Sequence, residues 1–182
     1  MQDPRNIHGD RGRCDWDIGH IFTGNFSWLS PSHNPWLRGW QLSGTYRLYT
    51  GMPLTPKVTN TNLALGEASR PNRIGKGTLD NPDAELWYNV SDFPVVPGGS
   101  YTLGNSGRAI IDGPGRVEVN LSLYKNFVPV ERTTLQFRWE VFNALNHANL
   151  GVPVTAVNAA NAGSIVSSDP GRVMQFGFRF VY

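Results

Sequence analysis

Residues 173–182, VMQFGFRFVY, put Met174, Phe176, Phe178, Phe180 and Tyr182 on every second position, with Val173, Gln175, Gly177, Arg179 and Val181 between them. A period of two belongs to an extended strand, whose successive side chains point to opposite faces, and it does not fit the 3.6-residue period of an amphipathic helix. The strand therefore has one aromatic face that runs unbroken to the last residue. Taken alone it also suits a half-buried strand of a soluble sandwich, so the rest of the chain must decide.

Four other stretches repeat the pattern. Residues 15–29 set Trp16, Ile18, Phe22, Phe26 and Trp28 against Asp17, Thr23, Asn25 and Ser27, with His20 and Gly24 interrupting the apolar face. Residues 40–50 set Trp40, Leu42, Tyr46 and Leu48 against Gln41, Ser43, Thr45 and Arg47. Residues 117–127 set Val117, Val119, Leu121 and Leu123 against Glu118, Asn120, Ser122 and Tyr124. Residues 133–142 set Leu135, Phe137, Trp139 and Val141 against Thr134, Gln136, Arg138 and Glu140. An all-β protein is predicted, and the 20 glycines and 13 prolines in 182 residues supply its turns.

The connections narrow the choice further. Residues 30–39 and 128–132 are short links, whereas residues 51–116 and 143–172 are long ones, too long for hairpins of a compact soluble domain. Short and long alternate as periplasmic turns and extracellular loops do in transmembrane barrels. A strand of about ten residues at about 3.3 Å rise, tilted by about 40°, spans roughly 25 Å, the height of the apolar band such barrels present to lipid. No apolar run reaches the length of a spanning helix, but spanning strands need none, so a mean hydropathy of −0.32 does not argue against a membrane. Five strands cannot close a barrel, and an open sheet in lipid would leave two rows of backbone groups unpaired. The expectation is a segment of a larger barrel. The opening MQDPRNIHGDRGRCD agrees, because it lacks the positive region and apolar core of a signal peptide.

The charge excludes other classes. A formal net charge of +2 with the basic residues scattered gives no stripe for nucleic acid. Cys14 is the single cysteine, so neither an intrachain disulfide nor a thiolate cluster can form. His8, His20, His33 and His147 have no metal-ligand spacing, and Asp15 and Asp17 lack the rest of a calcium loop. No nucleophile elbow or phosphate loop occurs, so neither an enzyme nor a cofactor is expected.

CDWDIGHIFTGNFSWLSP (14–31), GWQLSGTYRLYTGMPLTP (39–56), ELWYNVSDF (85–93), GNSGRAIIDGPGRVEVNLSLYKNF (104–127), RTTLQFRWEVFNALNHANLG (132–151) and DPGRVMQFGFRFVY (169–182) occur in this order. Nearly the whole chain thus resembles the C-terminal barrel of TonB-dependent outer-membrane receptors of the Oar-like group. The Gly-Pro-Gly turn at residues 113–115 and the FNALNHAN stretch are the most specific parts. The resemblance implies an antiparallel up-and-down transmembrane β-barrel segment, about five C-terminal strands of a barrel of roughly 22, with long extracellular loops. It places the chain in the bacterial outer membrane. A plug domain, its TonB box and the earlier strands would belong to a longer protein. The implied partners are outer-membrane lipid, the TonB complex through that plug, the barrel assembly machinery and an unidentified extracellular solute such as a siderophore, glycan, cobalamin or peptide. The readings that remain beside it are a soluble all-β carbohydrate-binding module and a barrel for adhesion or structure.

Three groups of residues are candidates for function. Arg47, Glu118, Asn120, Tyr124, Gln136, Arg138, Glu140 and Arg179 are expected to face the lumen, where they would line a passage or pair with one another across strands. Trp87, Tyr88, Phe93 and Tyr101 in the long connection would either stack on a ligand or pack the loop on itself. Phe176, Phe178, Phe180 and Tyr182 resemble the terminal signal read by the assembly machinery.

Overall fold

The computed structural model describes residues 2–3, 5–34, 36–59, 69–97 and 102–182. Among these residues seven strands follow one another: β1 (Ile21–Leu29), β2 (Trp40–Tyr49), β3 (Pro53–Leu54), β4 (Ile111–Asp112), β5 (Arg116–Phe127), β6 (Thr134–Phe142) and β7 (Val173–Val181). Five of them form one antiparallel sheet in the order β1-β2-β5-β6-β7, and β3 pairs with β4. The chain divides into two compact units. The sheet unit holds Ile21–Tyr49, Arg116–Ala148 and Asp169–Tyr182, and the loop unit holds Met1–His20, Thr50–Gly115 and Asn149–Ser168.

The expected strands appear within a residue or so, with one correction. The first was expected over residues 15–29 but begins at Ile21. Its predicted opening is a turn instead, closed by the Asp17 N–H donating to the Cys14 carbonyl at 2.9 Å. An aspartate favours such a turn, and Gly19 and His20 break the alternation before it can become a ladder.

In the sheet unit every neighbouring pair keeps the apolar residues in step. Phe26↔Gly44↔Leu121↔Val141↔Met174 and Trp28↔Leu42↔Leu123↔Trp139↔Phe176 lie in two continuous rows. Phe22 stacks on Tyr46 with ring centres 5.4 Å apart, and Trp139 lies almost parallel to Phe176 at 6.2 Å. Two glycines on this face are there for the rings beside them. A Cβ at Gly24 would overlap the Tyr46 ring, and one at Gly44 would run into Phe26 and Leu121. Such glycines let an aromatic ring lie flat on a curved sheet. Phe22, Trp28, Phe176, Phe178 and Phe180 nevertheless remain exposed, a larger apolar face than a soluble monomer tolerates.

The loop unit has a core of its own. Val58, Tyr88, Phe93, Ile111 and Val157 are buried together, with Leu54, Trp87, Val90 and Ile110 packed against them. Among its described residues regular structure is limited to the β3–β4 pair and the 3-10 turns Ile7–Asp10 and Val90–Asp92, and backbone groups there are satisfied by long-range bonds instead. The Val58 N–H donates to the Ser69 carbonyl, the Val157 N–H to that of Lys57, and the Trp87 N–H to that of Gly163. Gly51 is required because a side chain there would strike the Gly113 backbone. This accounts for the Gly-Met-Pro and Gly-Pro-Gly segments as two backbones in close approach.

The two sheet faces predict unequal responses to charge. In the complete barrel in lipid vesicles, Leu121→Arg or Phe137→Arg should cost about 2–4 kcal/mol, and Gln136→Arg on the other face far less. Reversible unfolding measures this, and equal costs would contradict the facing derived from the register.

Candidate functional site

All eight polar candidates share one face of the sheet. Arg47 stands opposite Glu118, Tyr124 opposite Arg138, and Gln136 opposite Arg179, while Asn120 pairs with Thr45 and Glu140 with Ser122. In a closed outer-membrane barrel the polar face turns inward. Across β5, β6 and β7 these side chains satisfy one another. Tyr124 donates its hydroxyl to Glu140 at 3.1 Å, and Gln175 donates to the other carboxylate oxygen. Arg138 donates to Gln136 at 2.8 Å, Gln136 to Asn126 at 2.8 Å, and the guanidinium lies 5.3 Å from the Tyr124 ring centre. Such cross-strand pairs contribute about 0.2–1 kcal/mol each.

Toward the long-connection end the face is more open. Thr23, Asn25, Thr45, Arg47, Glu118 and Asn120 line a cleft of about 400 Å³, within the range of small-molecule sites of roughly 300–1,000 Å³. The Arg47 guanidinium lies 5.5 Å from the centre of the Tyr49 ring, and the Asn120 side chain accepts the Asn143 N–H at 3.0 Å.

The Asn143 contact explains part of the FNALNHAN signature. Asn143 has φ +50° and Asn146 φ +51°, a left-handed backbone that asparagine accepts more readily than other residues with a Cβ. The Asn143 amide donates to the His147 carbonyl at 2.9 Å and its oxygen accepts the His147 N–H at 3.0 Å. Asn146 accepts the Arg172 N–H at 3.0 Å, beside the Asp-Pro-Gly-Arg segment that leads into β7. These residues build the turn after β6 and its join to β7. Reading them as a signature alone missed that role, although closely spaced asparagines at the end of a strand could have signalled it.

Of the loop aromatics, Tyr88 and Phe93 are each 1% exposed, with rings 5.9 Å apart edge to face. The Tyr88 hydroxyl donates to the Val154 carbonyl at 2.9 Å. Trp87 is half-buried and its indole N–H donates to the Asp112 carbonyl at 2.8 Å. These three side chains are committed to the fold of the loop unit, and Tyr101 lies outside the described residues. The same unit is stitched to its own first residues. Arg70 pairs with Asp10 at 2.5 Å and donates to the Gly9 carbonyl, and Arg13 pairs with Asp112 at 2.7 Å. Burial opposes ionisation of Asp10, but its bonds from Arg70 and the Gln2 N–H outweigh it and hold the carboxyl below its usual range.

β7 carries Phe176, Phe178 and Phe180 on the apolar face, and Tyr182, 94% exposed, follows the strand. A family model described as an outer membrane beta barrel domain matches residues 1–175. The chain belongs to the outer-membrane β-barrel family. Its place is therefore the bacterial outer membrane, and the exposed aromatic face is the lipid face such barrels have. No curated protein and no solved structure matches the chain.

One further residue escaped the sequence reading. Lys125 occupies an apolar-face position, opposite Trp40 and Phe137, yet is 3% exposed. Its break in the apolar series 117, 119, 121, 123, 127 was the available signal.

Burial pushes the Tyr88 hydroxyl up to about 12. A free phenol titrates near about 10, so the folded loop unit favours the neutral form. That contribution is intact below about pH 10 and is lost as pH rises through about 12. Tyr88→Phe should cost about 1 kcal/mol at neutral pH through the lost hydrogen bond. It should also make loop protection against limited proteolysis fall less steeply above pH 10 than in the unaltered barrel.

Proposed function

We propose that the chain forms the C-terminal part of the barrel of a TonB-dependent receptor that binds a scarce or bulky solute outside the cell and imports it when energised through TonB. The observation that carries this reading is the loop unit. A barrel with a structural role needs only enough loop to join its strands, whereas here the long connections fold around a buried aromatic core and hold one another by hydrogen bonds. An ordered surface module of this kind is what a receptor needs to present a solute site without the entropic cost of ordering loose loops on binding. The ordered motifs that resemble Oar-like receptors support the same reading. The open cleft at Arg47 and Glu118, on the face that barrels turn inward, supplies polar groups along a passage. The chemistry is binding and passage, with no catalytic step.

Uptake tests this directly. Cells carrying the complete gene should accumulate one member of a panel of ferric siderophores, cobalamin, glycans and peptides only while TonB and the proton-motive force are intact. Surface binding should persist when TonB is deleted. Equal accumulation without TonB, or no binding across the panel, would favour the adhesion or structural barrel.

Assembly gives a second test. The free edge of β7 must pair with another strand to close a barrel, and Phe176, Phe178 and Phe180 give it an exposed aromatic face, so we assign it to recognition by the assembly machinery. Deleting residues 180–182 should lower the surface level and the heat-modifiable band of the receptor. A normal surface level would separate this strand from assembly.

A further inference from the structure

The buried Lys125 is the starting point. Its register puts it on the apolar face two residues from the end of β5, where a bare ammonium would meet lipid. The amine instead donates to the Trp36 carbonyl at 3.2 Å and to the Arg38 carbonyl. It also lies 5.6 Å from the Trp40 ring centre and 5.4 Å from that of Phe127. The Trp40 indole N–H donates to the same Trp36 carbonyl at 3.0 Å. Two carbonyls of the 30–39 connection are thus drawn to the apolar side of the sheet by groups on that side. The connection does not simply cap the strand ends.

The described residues of the connection are bonded to one another. Asn34 takes the Leu37 and Arg38 N–H groups on its carbonyl at 3.0 and 2.8 Å and the Trp36 N–H on its side chain at 3.0 Å. Gly39, with φ +78°, closes it, and the Asn126 N–H donates to the Gly39 carbonyl at 3.3 Å. Yet Trp36 is 82% exposed and Leu37 56%. Residues 30–39 carry Arg38 and His33 and no carboxylate, unlike the other short connection, which carries Glu131 beside Arg132.

We propose that the 30–39 connection, clamped to the apolar face by Lys125, lies in the headgroup layer of the bilayer, with Trp36 and Leu37 entering the acyl boundary and Arg38 meeting phospholipid phosphate. The occupant is lipid for two reasons. The connection is continuous with the face that this family of barrels presents to lipid, and its charge complements a phosphate layer. Tryptophan and a long cationic side chain favour this depth, where an apolar body and a polar tip are both satisfied.

The test uses the complete receptor in phosphatidylethanolamine–phosphatidylglycerol vesicles, in a Cys14→Ser background, with a nitroxide attached at Leu37→Cys. Reference nitroxides sit at Phe178→Cys on the apolar face and at Glu131→Cys in the other short connection. Power saturation reads the ratio of oxygen to nickel-complex accessibility. The ratio at position 37 should lie between those at 178 and 131 and well above the latter. A value equal to that at 131 would put the connection in water and overturn the proposal. Adding Lys125→Met, which leaves the lipid face apolar, should drop the ratio at 37 to the level at 131, whereas Lys125→Arg should keep it high. Heat-modifiable mobility verifies that each variant is an assembled barrel. An unchanged ratio in Lys125→Met would overturn the clamp.

Discussion

The sheet depends on one alignment, the ladder that joins β2 to β5 from Trp40↔Lys125 to Tyr49↔Arg116. It pairs two strands separated by residues 50–115, and the entropy of closing so long a connection grows only slowly with its length. What holds the alignment is the cost of any other. A slip by one residue would send the apolar set of one strand to the polar face of its neighbour. It would also remove Gly44 from beneath Phe26 and beside Leu121, and separate Lys125 from Trp40. The continuity of the apolar face and the opposed Arg47 and Glu118 follow from this register, and the network around Glu140 from the ladders that join β5 to β6 and β6 to β7.

The loop unit meets a different constraint. Its described residues, with the β3–β4 pair as their one strand pair, satisfy their backbone groups through pairings of segments far apart in sequence, and do so around Tyr88 and Phe93. The long connections are consequently a folded body and not slack. Aromatic residues in surface loops invite assignment as ligand platforms. Here Tyr88 and Phe93 show how the same residues are drawn into a core when the loop is long enough to have one.

The strand positions were legible because the alternation signal is strong and local. β2, β5, β6 and β7 begin and end within about a residue of where the apolar pattern does. β1 was read too long, because Trp16 and Ile18 continue the alternation through residues whose backbone is already turning. A turn is decided by main-chain hydrogen bonds, such as that from Asp17 to Cys14, and the pattern of side-chain polarity does not report them. The common face of the eight polar candidates was legible for the same reason as the strands. Their division into a mutually bonded group and an open cleft was not, since it depends on which side chains reach one another across strands.

By itself the sequence determined the all-β class and the two faces of the sheet, because a dyad period fixes facing as soon as a segment is extended. It also determined which connections are long. The tertiary structure alone decided the residue-by-residue register between strands distant in the chain, the β3–β4 pair and the core of the loop unit. It alone decided the role of Asn143, whose left-handed backbone and three side-chain bonds belong to a turn that forms only once β6 and β7 are side by side. It decided Lys125 as well. A lysine on an apolar face is an anomaly in the sequence, and only the carbonyls of a neighbouring connection and two rings make it stable there.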